Sequence, residues 1–178
     1  MAKLRRWRAY RSIERAYTRI SKFRNKSFIR MTPNIKITRF VMGDTNKDYP
    51  ESVDLIPKTS LQIRQESIES GRLTAVRLLE KSIGKGGYTF RIRKFPYQIQ
   101  RENPLASGAG ADRMSTGMKK SFGKPIGIAV QIRAGEKLMT IATNPNNIDV
   151  AQRALHRAAK KMPCSFYVRV NAHKPQVL

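Results

Sequence analysis

Apolar residues change their spacing several times along the 178-residue chain, and each change marks an element. Ile35, Ile37 and Val41, with Lys36 and Thr38 opposed, predict a strand over Ile35–Met42 with one buried face. Gly43 to Pro50 reads as a polar loop, and Val53 to Arg64 as a second extended piece in which Pro57 marks an edge or a break. The period then lengthens. Ile68, Ala75, Val76, Leu79 and Ile83 fall near one face of a helix over Glu66–Ser82, which Gly84 is suited to end. After a Lys85-Gly86-Gly87 turn, Tyr88, Phe90 and Ile92 alternate with Thr89, Arg91 and Arg93, a half-buried strand that Phe95 to Gln100 continues past Pro96. Ile126, Ile128, Val130 and Ile132 alternate again, and a turn at Ala134-Gly135-Glu136 into Leu138–Ala142 predicts a hairpin.

Asn147 is placed to cap a helix over Ile148–Lys161, on which Ile148, Ala151, Leu155, Ala158 and Met162 share a face. Lys160 and Lys161 suit its C-terminal dipole, and Pro163 stops it. Cys164, Phe166, Val168 and Val170 make a last alternating strand. This order of strands and two helices, without internal repeat, predicts an α+β fold in a single domain, 1–178, with its core at 34–170 and a polar tail at 171–178.

The patterning fails in two places. Residues 1–33 form a basic arm: eleven of the first 30 residues are Lys or Arg, against Glu14 as the one acid, with Trp7, Tyr10, Tyr17, Phe23 and Phe28 interleaved. Arg8, Arg11, Arg15 and Arg19 recur at three- and four-residue spacing, so a helix would align them. The arm has too few apolar residues to fold alone and is expected to order against a partner. The second place is the loop 101–123, which contains Gly108, Gly110, Gly117 and Gly123. Long unpatterned loops inside compact domains are usually functional, and glycine lets backbone approach a ligand closely. Arg101, Arg113, Lys119, Lys120 and Lys124 supply phosphate contacts there, with Ser115 and Thr116 as adaptable donors.

Charge narrows the partner. The chain has 36 Lys+Arg against 12 Asp+Glu, a net +24. Between Asp44 and Glu80, however, seven acids outnumber five bases (Lys47, Lys58, Arg64, Arg72, Arg77). A charge this large repels itself unless an extended polyanion neutralises it, and nucleic acid gains affinity from each counterion released. The acidic stretch is expected to face away from that polymer. Arg5, Arg6, Arg8, Arg11, Arg15, Arg19, Lys22, Arg24 and Lys26 in the arm, with Arg91 and Arg93 on a strand, are the candidate RNA contacts, while the arm's rings can stack on unpaired bases.

Other chemistries find little support. No apolar run reaches the length of a membrane span, and few bulky aliphatics accompany the arm's aromatics, so no membrane partner is expected. The single cysteine, Cys164, excludes an internal disulfide framework, fits a reducing cytosol and reads as a structural thiol. With His156 and His173 it has no metal-ligand spacing, so neither metal nor cofactor is expected. Gly84-Lys85-Gly86-Gly87 is a turn rather than a phosphate loop, and Gly123-Lys124 is followed by Pro125 rather than Ser or Thr. Asp112, an isolated loop acid, is expected to pair with Arg113 or a backbone amide rather than to catalyse.

The segments Phe90-Arg91-Ile92-Arg93-Lys94-Phe95-Pro96, Gly108-Ala109-Gly110-Ala111-Asp112-Arg113-Met114-Ser115-Thr116-Gly117-Met118 and Phe122-Gly123-Lys124-Pro125 resemble the signature of the L-ten-e/L-sixteen family of large-subunit ribosomal proteins. Thr32-Pro33 through Gly43 resembles the family's first strand, and the arm and loop wording resemble the archaeal type. The arm departs from the family at Ser12 to Tyr17, which is less proline-rich. The resemblance implies an α/β-hammerhead-like mixed sheet, a non-catalytic place on the cytoplasmic ribosome, and large-subunit rRNA, tRNA and neighbouring ribosomal proteins as partners, with 5S rRNA a further candidate and no homo-oligomer. It also implies that the loop, with Arg101, Arg113, Lys119 and Lys120 at matching positions, reaches towards the peptidyl-transferase centre. An RNA-modifying or RNA-processing enzyme with the loop as a substrate lid, and an architectural DNA-binding protein, are the alternatives.

Overall fold

Among the described residues eight strands and three helices form, most of them where the alternation and the longer period predict. The computed structural model describes residues 8–11, 13, 21–29, 31–103, 108 and 123–172. In chain order the elements are α1 (Arg8–Arg11), β1 (Val41–Gly43), β2 (Glu51–Pro57), β3 (Leu61–Arg64), α2 (Gln65–Ser82), β4 (Tyr88–Ile92), β5 (Gln98–Glu102), β6 (Lys124–Ile132), β7 (Met139–Thr143), α3 (Ile148–Ala159) and β8 (Phe166–Ala172). The α+β class is as expected. Its strands divide between a five-stranded sheet, ordered β1-β4-β7-β2-β8, and a three-stranded sheet, β3-β6-β5. Every ladder described is antiparallel, in place of one mixed sheet.

The division overturns two expectations. Ile126–Ile132 and Leu138–Ala142 do not form a hairpin, because β6 lies in the small sheet and β7 in the large one. The turn between them is tied elsewhere: the Ala134 N–H donates to Ser60 Oγ at 3.0 Å, and the Leu138 N–H to the Leu55 carbonyl at 2.9 Å. Likewise Phe95 to Gln100 does not continue β4. After Ile92 the chain leaves the large sheet, pinned where the Arg93 N–H meets the Leu138 carbonyl at 2.9 Å, and joins the small one as β5.

The predicted first strand shrinks to Val41–Gly43. Ile37 is buried, but Ile35 is 45% exposed. A side chain takes the place of a neighbouring strand: Gln65 Oε1 accepts from the Lys36 N–H at 2.9 Å, and Gln65 Nε2 donates to the Asn34 carbonyl at 3.1 Å. These bonds satisfy the backbone of an extended segment without a ladder.

On the large sheet Phe90, Ile141 and Val53 share one row, and Ile92, Met139 and Leu55 another. Both rows point into the core with Ala151, Leu155 and Leu79 from the helices. The two helices pack closely because α2 presents Gly71. A Cβ there would meet Met162 Cε at 3.0 Å and the Ala158 carbonyl oxygen at 3.4 Å. Gly84, at φ +80°, ends α2 as predicted. Asn147 occupies the cap position of α3, but its side chain makes no capping hydrogen bond, because a 3-10 turn at Pro145–Asn147 leads into the helix instead. β8 is an edge strand of the large sheet, so Phe166 and Val168 are half-buried and Val170 is exposed.

Candidate nucleic-acid interface

The face of the large sheet away from the helices is polar. Its central row runs Arg91, Thr140, Asp54, Arg169 across β4, β7, β2 and β8. Asp54 is 0% exposed yet fully engaged. Its Oδ1 accepts from the Thr140 hydroxyl at 2.7 Å, and its Oδ2 accepts from Asn171 Nδ2 at 2.7 Å and pairs with Lys137 Nζ at 2.6 Å. Opposite charges and donors thus offset the cost of burying a carboxylate. Above it Arg91, Arg93 and Arg169 are exposed and make no ion pair among the described residues. Arg93 Nε donates to Thr140 Oγ1 at 3.1 Å, and the Arg169 guanidinium lies 5.8 Å from the Tyr167 ring centre. Both are held in place with charge to spare, which suits recognition of phosphate.

The acids of residues 44–80 do not form one outward face. Asp54 is buried, Glu66 pairs with Lys36 at 3.0 Å, Glu69 with Arg72, and Asp44 with Lys47 at 3.3 Å. Arg72 Nε donates to Glu69 at 2.8 Å, and this hydrogen bond, working against burial, holds the Glu69 carboxyl below its usual range. These four acids are each neutralised by a nearby cation and are not available to Arg91, Arg93 and Arg169.

Parts of the arm lie against the core of the same chain. Gln62 Nε2 on β3 donates to the Ala9 carbonyl at 3.0 Å, and Ile29 is buried. Between them Ser27 Oγ accepts from the Ser21 N–H at 2.9 Å and donates to the Ser21 carbonyl, closing a loop around a 3-10 turn at Arg24–Lys26. Arg11, Lys22 and Lys26 are exposed, with Lys26 Nζ 5.1 Å from the Phe23 ring centre. Arg5, Arg6, Arg15, Arg19, Arg113, Ser115, Thr116, Lys119 and Lys120, and the side chains of Arg8 and Arg24, lie outside the described residues.

The long loop joins two neighbouring strands. β5 and β6 pair antiparallel, with Glu102 opposite Lys124 and Arg101 opposite Pro125, so the loop leaves and returns at one stem. A register shift between Gln100 and Arg101 marks a bulge, which bends the strand and re-aims the chain beyond it. Arg101 is half-buried, and burial lowers its guanidinium pKa, while Lys124 is exposed. Gly123, at φ +105°, turns the chain into β6 through a conformation that suits glycine.

Sequence reasoning missed a second cationic surface. Arg77, Lys81, Arg157 and Lys161 line a cleft of about 500 Å³ between α2 and the end of α3, beside Ser70 and Thr74. All four cations are exposed and unpaired among the described residues. Arg77 and Lys81, four residues apart on a helix, could have signalled half of it.

Among the described residues no group of acids, histidines and cysteine could hold a metal ion, and no helix is long and apolar enough to cross a membrane. Burial pushes the Cys164 thiol pKa up, which fits a structural thiol rather than a reactive one. The profile of the family described as ribosomal protein L16p/L10e matches residues 14–169. The chain belongs to this family. Its relatives include a protein named large ribosomal subunit protein uL16 from Methanococcus aeolicus, 44% identical over 161 residues and covering 90% of each chain. A protein of the same name from Methanococcus maripaludis is 39% identical over 96% of each chain, and one from Archaeoglobus fulgidus is 38% identical over 88% of this chain and 86% of its own. The family is one of structural ribosomal proteins rather than enzymes, so the RNA-modifying alternative falls.

Proposed function

We propose that this chain is a structural constituent of the large ribosomal subunit that binds rRNA through several cationic surfaces and uses its long loop to help position tRNA near the peptidyl-transferase centre. Membership of the family carries the first part: rRNA and ribosomal proteins are the partners, and the cytoplasmic ribosome is the location. The arm's cations, the Arg91/Arg93/Arg169 face and the helix cleft supply the phosphate contacts. Most such contacts fix register and orientation rather than read sequence. The 5S rRNA is a further candidate partner.

The observation that supports the loop's role is its stem. β5 and β6 hold the two ends of the segment side by side, with a bulge between Gln100 and Arg101 at the stem. Arg101 and Lys124 stand at the stem; Arg113, Ser115, Thr116, Lys119 and Lys120 are the loop groups proposed to meet tRNA or the rRNA around it. The test replaces Arg113, Lys119 and Lys120 with glutamine. Large subunits should still incorporate the tagged protein on sucrose gradients at high salt, while polysomes fall or late subunit maturation slows. Normal growth with normal polysomes would overturn the loop's role, and failure of the unsubstituted tagged chain to sediment with large subunits would overturn the ribosomal reading.

A further inference from the structure

We propose that the corner where the chain passes between the two sheets is a stacking site for an unpaired RNA base, with Phe95 and Tyr97 as its platform and Arg93 and Arg133 as its phosphate contacts. The proposal rests on the RNA-binding reading and adds to it a site that recognises the face of a base.

Phe95, Tyr97, Arg93, Lys94 and Arg133 share one cleft of about 380 Å³. Phe95 is 55% exposed and Tyr97 54%. A lone exposed aromatic needs no explanation, but two that flank a buried proline and open into the same cationic cleft are not scattered. Neither ring is loosely mounted. Phe40 stacks on Phe95 with ring centres 5.4 Å apart and planes inclined by 23°. The Tyr97 N–H donates to the Ala129 carbonyl at 3.2 Å, and the Tyr97 hydroxyl donates to Gln131 Oε1 at 3.4 Å. A third ring laid on Phe95 would extend a stack already begun.

The charges favour nucleic acid over an acidic protein segment. Among the described residues the one acid lining the cleft, Glu136, is occupied: it accepts from the Arg133 N–H at 2.9 Å and pairs with Lys94 Nζ at 2.9 Å, and these bonds hold its carboxyl below the usual range. The Arg133 side chain and the remaining donors of Arg93 form no ion pair among the described residues. A π-face beside unpaired cations is the arrangement by which single-stranded RNA is held without regard to sequence. In a duplex the faces of the bases are already stacked, so the ligand is an unpaired nucleotide.

The chain's one tryptophan, Trp7, makes a direct test possible. The full-length protein carrying Trp7→Phe and Phe95→Trp places its only indole in the cleft. It is titrated with a labelled short oligoadenylate, with an abasic ribose-phosphate oligomer of equal length, and with an acidic peptide, following anisotropy and indole fluorescence together. Oligoadenylate should quench the indole and the abasic oligomer should not, although both bind. In the parent sequence, Phe95→Leu and Tyr97→Leu should each weaken oligoadenylate binding by about fivefold or more while leaving the abasic oligomer unaffected. Oligoadenylate that binds without quenching, equal quenching by both oligomers, or Leu variants that bind like the parent would overturn stacking here and leave RNA binding standing. Quenching by the acidic peptide alone would assign the cleft to a protein partner. Failure of every RNA probe to bind would bring down the RNA-binding reading as well.

Discussion

Neutralising the cleft between α2 and α3 gives a number that can be worked out in advance. Arg77, Lys81, Arg157 and Lys161 line one cleft, all exposed and without acid partners among the described residues. Each phosphate a protein neutralises steepens the fall of log affinity with log salt by about 0.7 to 0.9. If all four cations sit on RNA backbone, changing them together to glutamine should reduce that slope by about 3 to 4. Between about 50 and 200 mM salt the parent should then lose about 100-fold more affinity than the variant. The cost to the fold is small. Lys81 and Arg157 lie in last helical turns, where each favourable dipole contact is worth about 0.3 to 1 kcal/mol, and no buried group is disturbed. The assay is fluorescence anisotropy of a large-subunit rRNA transcript across a salt series, with thermal unfolding as the control. Parallel salt plots for parent and variant, at unchanged fold, would refute a phosphate-binding role for this cleft and reduce the four residues to a solvated helix face.

Gly43→Ala should cost about 3 kcal/mol in urea unfolding, because Gly43 sits at φ +89° and a Cβ would meet the Tyr88 carbonyl oxygen at 2.1 Å; a loss within about 0.5 kcal/mol would show that β1 can move away freely. Glu69→Gln tests the pairing of charges on α2. The Arg72 hydrogen bond lowers the folded Glu69 pKa from its ordinary 4.5, so its contribution is complete above that value and is lost as pH falls through the folded one. The variant should therefore be less stable than the parent by about 1 to 2 kcal/mol at pH 7, with the gap closing in acid; a gap that persists unchanged in acid would refute the ion-pair account.

Legibility in the sequence followed the range of the interaction. The Tyr88 to Arg93 alternation was readable because one side meets the core and the other meets solvent, so burial alone dictates the pattern. The α2 face was readable for the same reason. Partner choice was not: Ile126 to Ile132 and Leu138 to Ala142 alternate as a hairpin would, and only the ties of the connecting turn to Ser60 and of Leu138 to Leu55 send them to different sheets. The Asn34 to Lys36 backbone was misread because its partner is a side chain 29 residues away from Lys36, at Gln65. Within the site, Arg91 and Arg93 could be picked out as the outward half of an alternating strand. Arg169 joins them only through the pairing of β8 with β2, and Arg77 meets Arg157 only through the packing of α2 on α3. Phe95 and Tyr97 were absorbed into a strand that does not exist there, which hid their exposure.

The arrangement of charge explains why this fold suits a position between RNA segments. Val53, Leu55, Ile141 and Phe90 point from the large sheet into the core it shares with α2 and α3, so the Arg91/Arg93/Arg169 face and the helix cleft lie on opposite sides of that layer pair. A protein with one basic face needs one polyanion; one with two separated basic faces, each without acid partners, is neutralised only when RNA lies on both. The acids strengthen the argument by where they are not. Asp54, Glu66, Glu69 and Asp44 are each held by a nearby cation, leaving none of these four to form a neutral back surface. A domain so built carries its net charge outward in two directions, and the stem formed by β5 and β6 holds the two ends of the long loop side by side.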